Sequence, residues 1–151
     1  MTQPDLNALE VKALAAMEAR RQALNVKGSA VVAVSPPDQP ESFVMQARIM
    51  GRYERPPDPS RGEGDKGTNF FSIAFSKLTE MVATQRDSGE SPDRVLKKGE
   101  FGYKGGLVRH KDGYTLYAAF SGGSEAQDVE ISEQGMQELL KLYLIPGGDQ
   151  A

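Results

Sequence analysis

Two glycine pairs bracket the stretch GGLVRHKDGYTLYAAFSGGSEAQD, residues 105–128. The second pair, Gly122 and Gly123, is followed by Ser124 where a strand gives way to a helix. Backbone N–H groups at a helix start lack intrahelical partners, so they can hold a phosphate or carboxylate. The same residues also serve plain architecture, glycine allowing a sharp turn and a serine hydroxyl capping one N–H. A nucleotide loop is excluded, because the Lys-Ser/Thr of one such motif and the third glycine of the other are missing. Lys77 is a lone cation on an otherwise apolar helical segment. As a flexible point charge it suits a ligand carboxylate in a cleft beneath residues 51–67; alternatively it snorkels at a helix edge or pairs across an interface. Arg109 offers a planar fork for a carboxylate, or an ordinary solvent-facing position opposite Leu116. Asp128 is a candidate general base, or a negative charge near the positive end of a helix, worth about 0.5 kcal/mol there. Glu125 and Glu130 make no paired-carboxylate site with it. Ser72, Ser121 and Ser124 lack a catalytic triad, since His110 is the only imidazole.

Composition closes off several function classes. The chain has 151 residues, a formal net charge of −3 and a sequence pI of about 5.3, with no clustered surplus of positive charge for nucleic acid. Absence of Cys removes disulfides, thiolate catalysis, iron–sulfur clusters and thiolate zinc sites. One His rules out a multi-His metal centre within a subunit, and no metal site is assigned. The first residues lack the basic start and apolar core of a signal peptide, and no run is long enough to span a membrane. A cytoplasmic protein with neither nucleic-acid nor membrane partner is expected. The length suits one domain over 1–151, burying roughly 70% of its unfolded surface.

The elements that must position these groups follow from periodicity. Leu6, Leu9, Ala13, Ala16, Met17 and Leu24 recur at three- and four-residue steps, with Glu10, Lys12, Glu18 and Arg21 mostly elsewhere, which predicts an amphipathic helix over 6–24 capped by Asp5. GSAVVAVS (28–35) is a β-branched run that predicts a strand buried on both faces, and SFVMQARIM (42–50) a second strand. GRYERPPDPSRGEGDKG (51–67) has almost nothing to bury and predicts a mobile loop. Phe70, Phe71, Ala74, Phe75, Leu78, Met81 and Val82 make the stripe of a central helix with Thr68 or Asn69 as its cap. Residues 87–106 predict a loop with one helical turn near Asp93–Lys97 or an extra strand within 95–103. Asp112-Gly113 predicts a two-residue hairpin turn, which sets His110 opposite Thr115, Arg109 opposite Leu116 and Val108 opposite Tyr117. Ser124 and Gln127 have capping-box spacing. They open a last helix whose inward face is Ala126, Val129, Met136, Leu139, Leu140 and Tyr143, ended by Pro146-Gly147-Gly148 before a short tail at 146–151. A mainly antiparallel sheet with flanking helices, α/β of the α+β kind, fits this order.

The ordered combination of Gly105-Gly106, Asp112-Gly113, AAF-SGG and SEAQD over 105–128, with SIAFSK at 72–77 and VVAV after the first helix, resembles the GlcG/HbpS-like family. This is the haem-degrading domain group that also includes the C-terminal part of PduO. The likeness spans nearly the whole chain. VSPPDQPESFVMQARIM departs from it by losing the family's Asp-Ala-Gly-Gly turn, 51–67 is longer than the usual connection, and Tyr117 stands where the family tends to have a small residue. These departures fall in loops and at a pocket wall.

The resemblance implies a profilin-like GlcG/HbpS-type sandwich that assembles into a homo-oligomer. For function it implies a protein binding haem, another tetrapyrrole or a small organic anion, in a cleft between the central helix, the 51–67 loop and the Gly-rich 99–106 segment. Its alternatives are a haem-degrading enzyme and a structural or regulatory oligomer without a small ligand. Within the ligand reading, Lys77, Arg109 and the amides of Gly122, Gly123 and Ser124 would neutralise carboxylates. His110 would ligate iron, Tyr103 and Tyr114 would be alternative oxygen ligands, and Phe70, Phe71 and Phe75 would line the cleft or pack the core.

Overall fold

The computed structural model describes residues 5–39 and 41–142, so Tyr143 and the Pro146-Gly147-Gly148 stop lie outside the described residues. Helix α1 runs Leu6–Ala23, and the Asp5 carboxylate accepts the Ala8 N–H at 3.1 Å as its cap. Strand β1, Gly28–Ser35, is buried at every position, as a β-branched run covered on both faces must be. Strand β2 spans Val44–Met50; the two-residue strands β3, Glu54–Arg55, and β4, Thr68–Asn69, pair with each other. Helix α2 is Phe70–Thr84, capped by the Asn69 side chain. Strands β5, Gly106–Lys111, and β6, Tyr114–Ser121, form the expected hairpin, and α3 is Glu125–Leu139.

The main sheet has the order β2-β1-β6-β5 and is antiparallel throughout. The hairpin register is the one that the Asp-Gly turn requires, with His110 opposite Thr115 and Arg109 opposite Leu116. Asp112 and Gly113 have φ of +51° and +83°, the two positive values of the primed turn. Alternation along β1 and β6 then splits the core. Ala30, Val32, Val34, Leu116, Ala118 and Phe120 face α1 and α3, while Val31, Ala33, Tyr117 and Ala119 face Ala74, Leu78 and Met81 of α2. Each fully buried Val, Leu, Met or Phe among them contributes about 1.5–3 kcal/mol.

Three local expectations are corrected. On α3 the buried positions are Asp128, Ile131, Ser132, Gly135, Met136 and Leu139, whereas Ala126 is exposed; a face that is half polar or glycine carries a weak apolar period. Glu10 lies on the buried face of α1, not its solvent side. Neither a helical turn near Asp93–Lys97 nor a strand within 95–103 forms among the described residues. There Arg94 pairs with Glu100, and Gly99 and Gly102 have φ of +94° and +72°, which interrupt an extended run. The 51–67 segment, which has little to bury, carries a set of polar contacts of its own. Arg55 donates twice to Asp65 at 3.0 and 3.1 Å, and Asp65 also accepts the N–H groups of Asp58 and Gly67. Among the described residues no helix is long and apolar enough to cross a membrane.

Candidate functional site

Phe70, Ile73 and Lys77 follow one another at three- and four-residue steps, so α2 presents them on a single stripe. They form one wall of a pocket of about 190 Å³. The end of β6 supplies Ser121, Gly122 and Gly123, the first turn of α3 supplies Glu125 and Asp128, and Thr68, Tyr103 and Lys104 complete the lining. A second hollow of about 190 Å³, lined by Asn69, Ser72 and Phe101 among others, shares Thr68, Ile73 and Tyr103 with it. The exposed rings of Phe101 and Tyr103 stack with centroids 5.9 Å apart.

Gly122 sets the geometry of the β6–α3 junction. Its φ is +149°, and a Cβ there would lie 2.3 Å from the Lys27 carbonyl oxygen. Arg52 ties the same junction by donating to the Lys27 and Gly122 carbonyls, both at 3.2 Å, while its guanidinium lies 4.4 Å from the centre of the Phe70 ring. Gly122→Ala is expected to destabilise the fold by about 2–3 kcal/mol, from backbone strain plus the clash. Urea denaturation measures this, and a midpoint unchanged from wild type refutes it.

The pocket floor is an ion pair removed from water. Lys77 and Asp128 are 2% and 5% exposed, and the Lys77 ammonium donates to Asp128 Oδ2 at 3.1 Å and to the Phe120 carbonyl at 2.7 Å. Asp128 Oδ1 accepts the Gly123 N–H at 2.9 Å. Burial pushes the Asp128 carboxyl up to about 6, against the opposing pull of Lys77 and the Gly123 N–H. Burial likewise lowers Lys77, and Asp128 works against it. The cradle at Gly122–Ser124 is therefore occupied by the chain's own carboxylate. Ser124 and Gln127 complete a reciprocal capping box beside it.

Of the residues singled out in the sequence, Lys77, Gly122 and Gly123 meet in this pocket, and Ser124 caps the helix without lining it. Lys77 neither snorkels nor pairs outward; it is held inside. Arg109 bonds Asp87 at 2.7 Å and does not reach the pocket. His110 is exposed at the hairpin end, its Nε2 2.8 Å from Gln85 Oε1. It pairs with Thr115, and Ser121 lies at the far end of β6, roughly 20 Å along the strand. Tyr114 pairs with Lys111 at that same distant end, whereas Tyr103 stands at the pocket mouth. Phe71 and Phe75 pack edge to face outside the lining. Thr68, Ile73, Lys104 and the supporting Arg52 were missed. Only the stripe of Phe70, Ile73 and Lys77 carried a signal, its helical spacing.

No known family model matches the sequence, and no curated protein matches it. Solved structures do. The Klebsiella pneumoniae protein ORFY, of family model DUF336, superposes with a TM-score of 0.61 at 16% identity over 92% of this chain and 92% of that one. A PduOC–haem complex superposes with a TM-score of 0.56 at 19% identity, covering 84% of this chain and 88% of that chain. The chain has their fold. The expected architecture, a mainly antiparallel sheet with flanking helices, is present as a four-stranded sheet and three α-helices among the described residues, in a fold shared with the DUF336 protein.

The described residues meet some requirements of a tetrapyrrole site and fail others. Phe70, Ile73 and the stacked Phe101 and Tyr103 supply apolar and aromatic surface, and Lys104 stands at the rim. The pocket is smaller than the roughly 300–1,000 Å³ usual for drug-sized ligands, so it admits an edge, not a whole macrocycle. No imidazole approaches it, which removes His110 as an axial ligand to iron bound there. Among the described residues, no group of three or more His, Cys, Asp or Glu could hold a metal ion.

Proposed function

We propose that this chain is a small-ligand-binding protein, its site the pocket between α2, the β6–α3 junction and residues 103–104. The ligand is an organic anion or the edge of a tetrapyrrole. The observation that carries it is the meeting, in one hollow of about 190 Å³, of an apolar wall with a buried Lys–Asp pair and the rim cation Lys104. A haem-bound structure with this fold supports testing haem first. Apolar burial against Phe70 and Ile73 supplies most of the binding energy, and Lys104 steers the anionic end. A haem-degrading activity has no residue in the pocket that singles it out.

Titrating purified protein with haemin tests the proposal. A stoichiometric Soret shift is expected, weakened by Phe70→Ala and Tyr103→Ala and unchanged by His110→Ala. Loss of the shift in His110→Ala alone would move the site to the hairpin end; no shift in wild type would remove tetrapyrroles and leave smaller organic anions. Self-assembly and a cytoplasmic setting belong to the same proposal. Val95, Leu96 and Phe101, exposed at 83%, 46% and 47%, are the apolar surface that a second copy would cover, and the sedimenting mass in solution decides it.

A further inference from the structure

A lysine amine almost wholly shut off from solvent, yet lining a pocket, is available for more than charge. Lysine carries three N–H donors when protonated and two when neutral. In this pocket two acceptors, the Phe120 carbonyl and Asp128 Oδ2, engage the Lys77 nitrogen at 2.7 and 3.1 Å. A neutral amine that keeps its bond to the Phe120 carbonyl has a lone pair to offer a carbonyl carbon once its contact with the protonated Asp128 carboxyl opens. Gly105 keeps the space beside the pair clear, since a Cβ there would sit 2.6 Å from Lys77 Nζ and 2.8 Å from Asp128 Cβ. Burial also favours the neutral amine, the form that attacks carbonyl carbon.

We propose that Lys77 is a nucleophilic amine that condenses with an aldehyde or ketone group of a ligand in this pocket, with Asp128 as its proton carrier. The inference rests on the pocket being a ligand site. Asp128 takes the proton that leaves the Lys77 ammonium; the amine nitrogen adds to the carbonyl carbon as the C=O pair moves to oxygen, and one proton passes from that nitrogen to the oxygen to give a carbinolamine. Asp128 returns that proton to the hydroxyl group, the C–O bond breaks and water departs. The nitrogen lone pair closes the C=N bond as water leaves, so a protonated Schiff base on Lys77 remains opposite the regenerated Asp128 carboxylate. No oxidant or reductant is consumed. Asp128 suits the part because its carboxyl is pushed up to about 6, so it both accepts and releases a proton near neutrality. Phe70 and Ile73 give the amine an apolar wall on one side.

Trapping tests it. Intact wild-type protein is mixed with limiting pyridoxal 5′-phosphate near neutral pH and reduced with borohydride, and the modified lysine is located by peptide mass mapping. The reduced adduct is expected on Lys77 ahead of the exposed lysines, and slower labelling of Lys77 is expected in Asp128→Asn, with the surface lysines unaffected. A smaller aldehyde, glyoxylate, run in parallel keeps probe size from deciding the result. Labelling confined to surface lysines with both probes overturns the proposal, even if haemin binds. Labelling of Lys77 at an equal rate in Asp128→Asn overturns the role of the carboxyl. A failed haemin titration with successful trapping removes the tetrapyrrole and leaves the amine chemistry standing.

Discussion

Asp128→Ala is expected to cost about 3–5 kcal/mol of folding stability, because it strands the Lys77 ammonium in the interior without its partner. The Phe120 carbonyl would remain as its acceptor, and the Gly123 N–H would lose Asp128 Oδ1 as well. Lys77→Met is expected to cost less. The Asp128 carboxyl already sits near 6 and, relieved of its cation, takes up a proton and stays buried as a neutral acid. Replacing both, Lys77→Met with Asp128→Leu, should recover much of the loss, since an apolar pair of similar volume does not carry the desolvation penalty of two ions. A double-mutant cycle by urea denaturation measures the coupling. If Asp128→Ala unfolds at the same midpoint as wild type, the pair is not sealed from water as the geometry indicates. Such a result would also undercut Asp128 as a proton carrier for Lys77.

A second effect of comparable size sits on α1. Glu10 is fully buried there, and neither of its carboxylate oxygens makes a hydrogen bond of good geometry, the Gln46 side chain and the Val34 backbone being only near neighbours. Burial pushes its carboxyl up to about 8, with Gln46 and the Val34 backbone opposing. Below the carboxyl's ordinary value of 4.5, folded and unfolded chains both hold the proton. Between there and about 8 the folded chain keeps a proton that the unfolded chain has released. Stability from this group is therefore full at acidic pH and lost as pH rises through the folded value, by about 1.4 kcal/mol per unit. The total is on the order of 5 kcal/mol. Glu10→Gln removes the titration. The variant is expected to be the more stable protein near pH 8 and to show a flatter profile on the way down to about pH 5. Urea melts of the two proteins at these pH values decide the matter. Parallel profiles would mean that Glu10 reaches water in the folded state.

Local chemistry made much of this fold legible. The Asp112-Gly113 turn, the register it imposes on β5 and β6, the capping box at Ser124, and a β1 buried along its whole length all follow from backbone preferences and short-range periodicity. The polar contacts within 51–67 were harder, because they centre on the Arg55–Asp65 pair rather than on any apolar pattern. Lys77 was visible as an odd cation on an apolar stripe, but its position inside the protein was not. Its partner lies 51 residues away, and neither residue carries a mark of the other.

What the sequence determined by itself is the set of elements and how adjacent ones pair, since turns, caps and amphipathic periods depend on residues a few positions apart. Tertiary structure alone decided which polar side chains went inside. Glu10, Lys77, Asp128 and Ser132 look like surface residues until helices dock on the sheet and take them out of water. Docking also separated His110 and Arg109 from the pocket that Lys77 and Asp128 share. A charge's solvation depends on everything packed around it, so its chemistry is a property of the assembled layers and not of its neighbours along the chain.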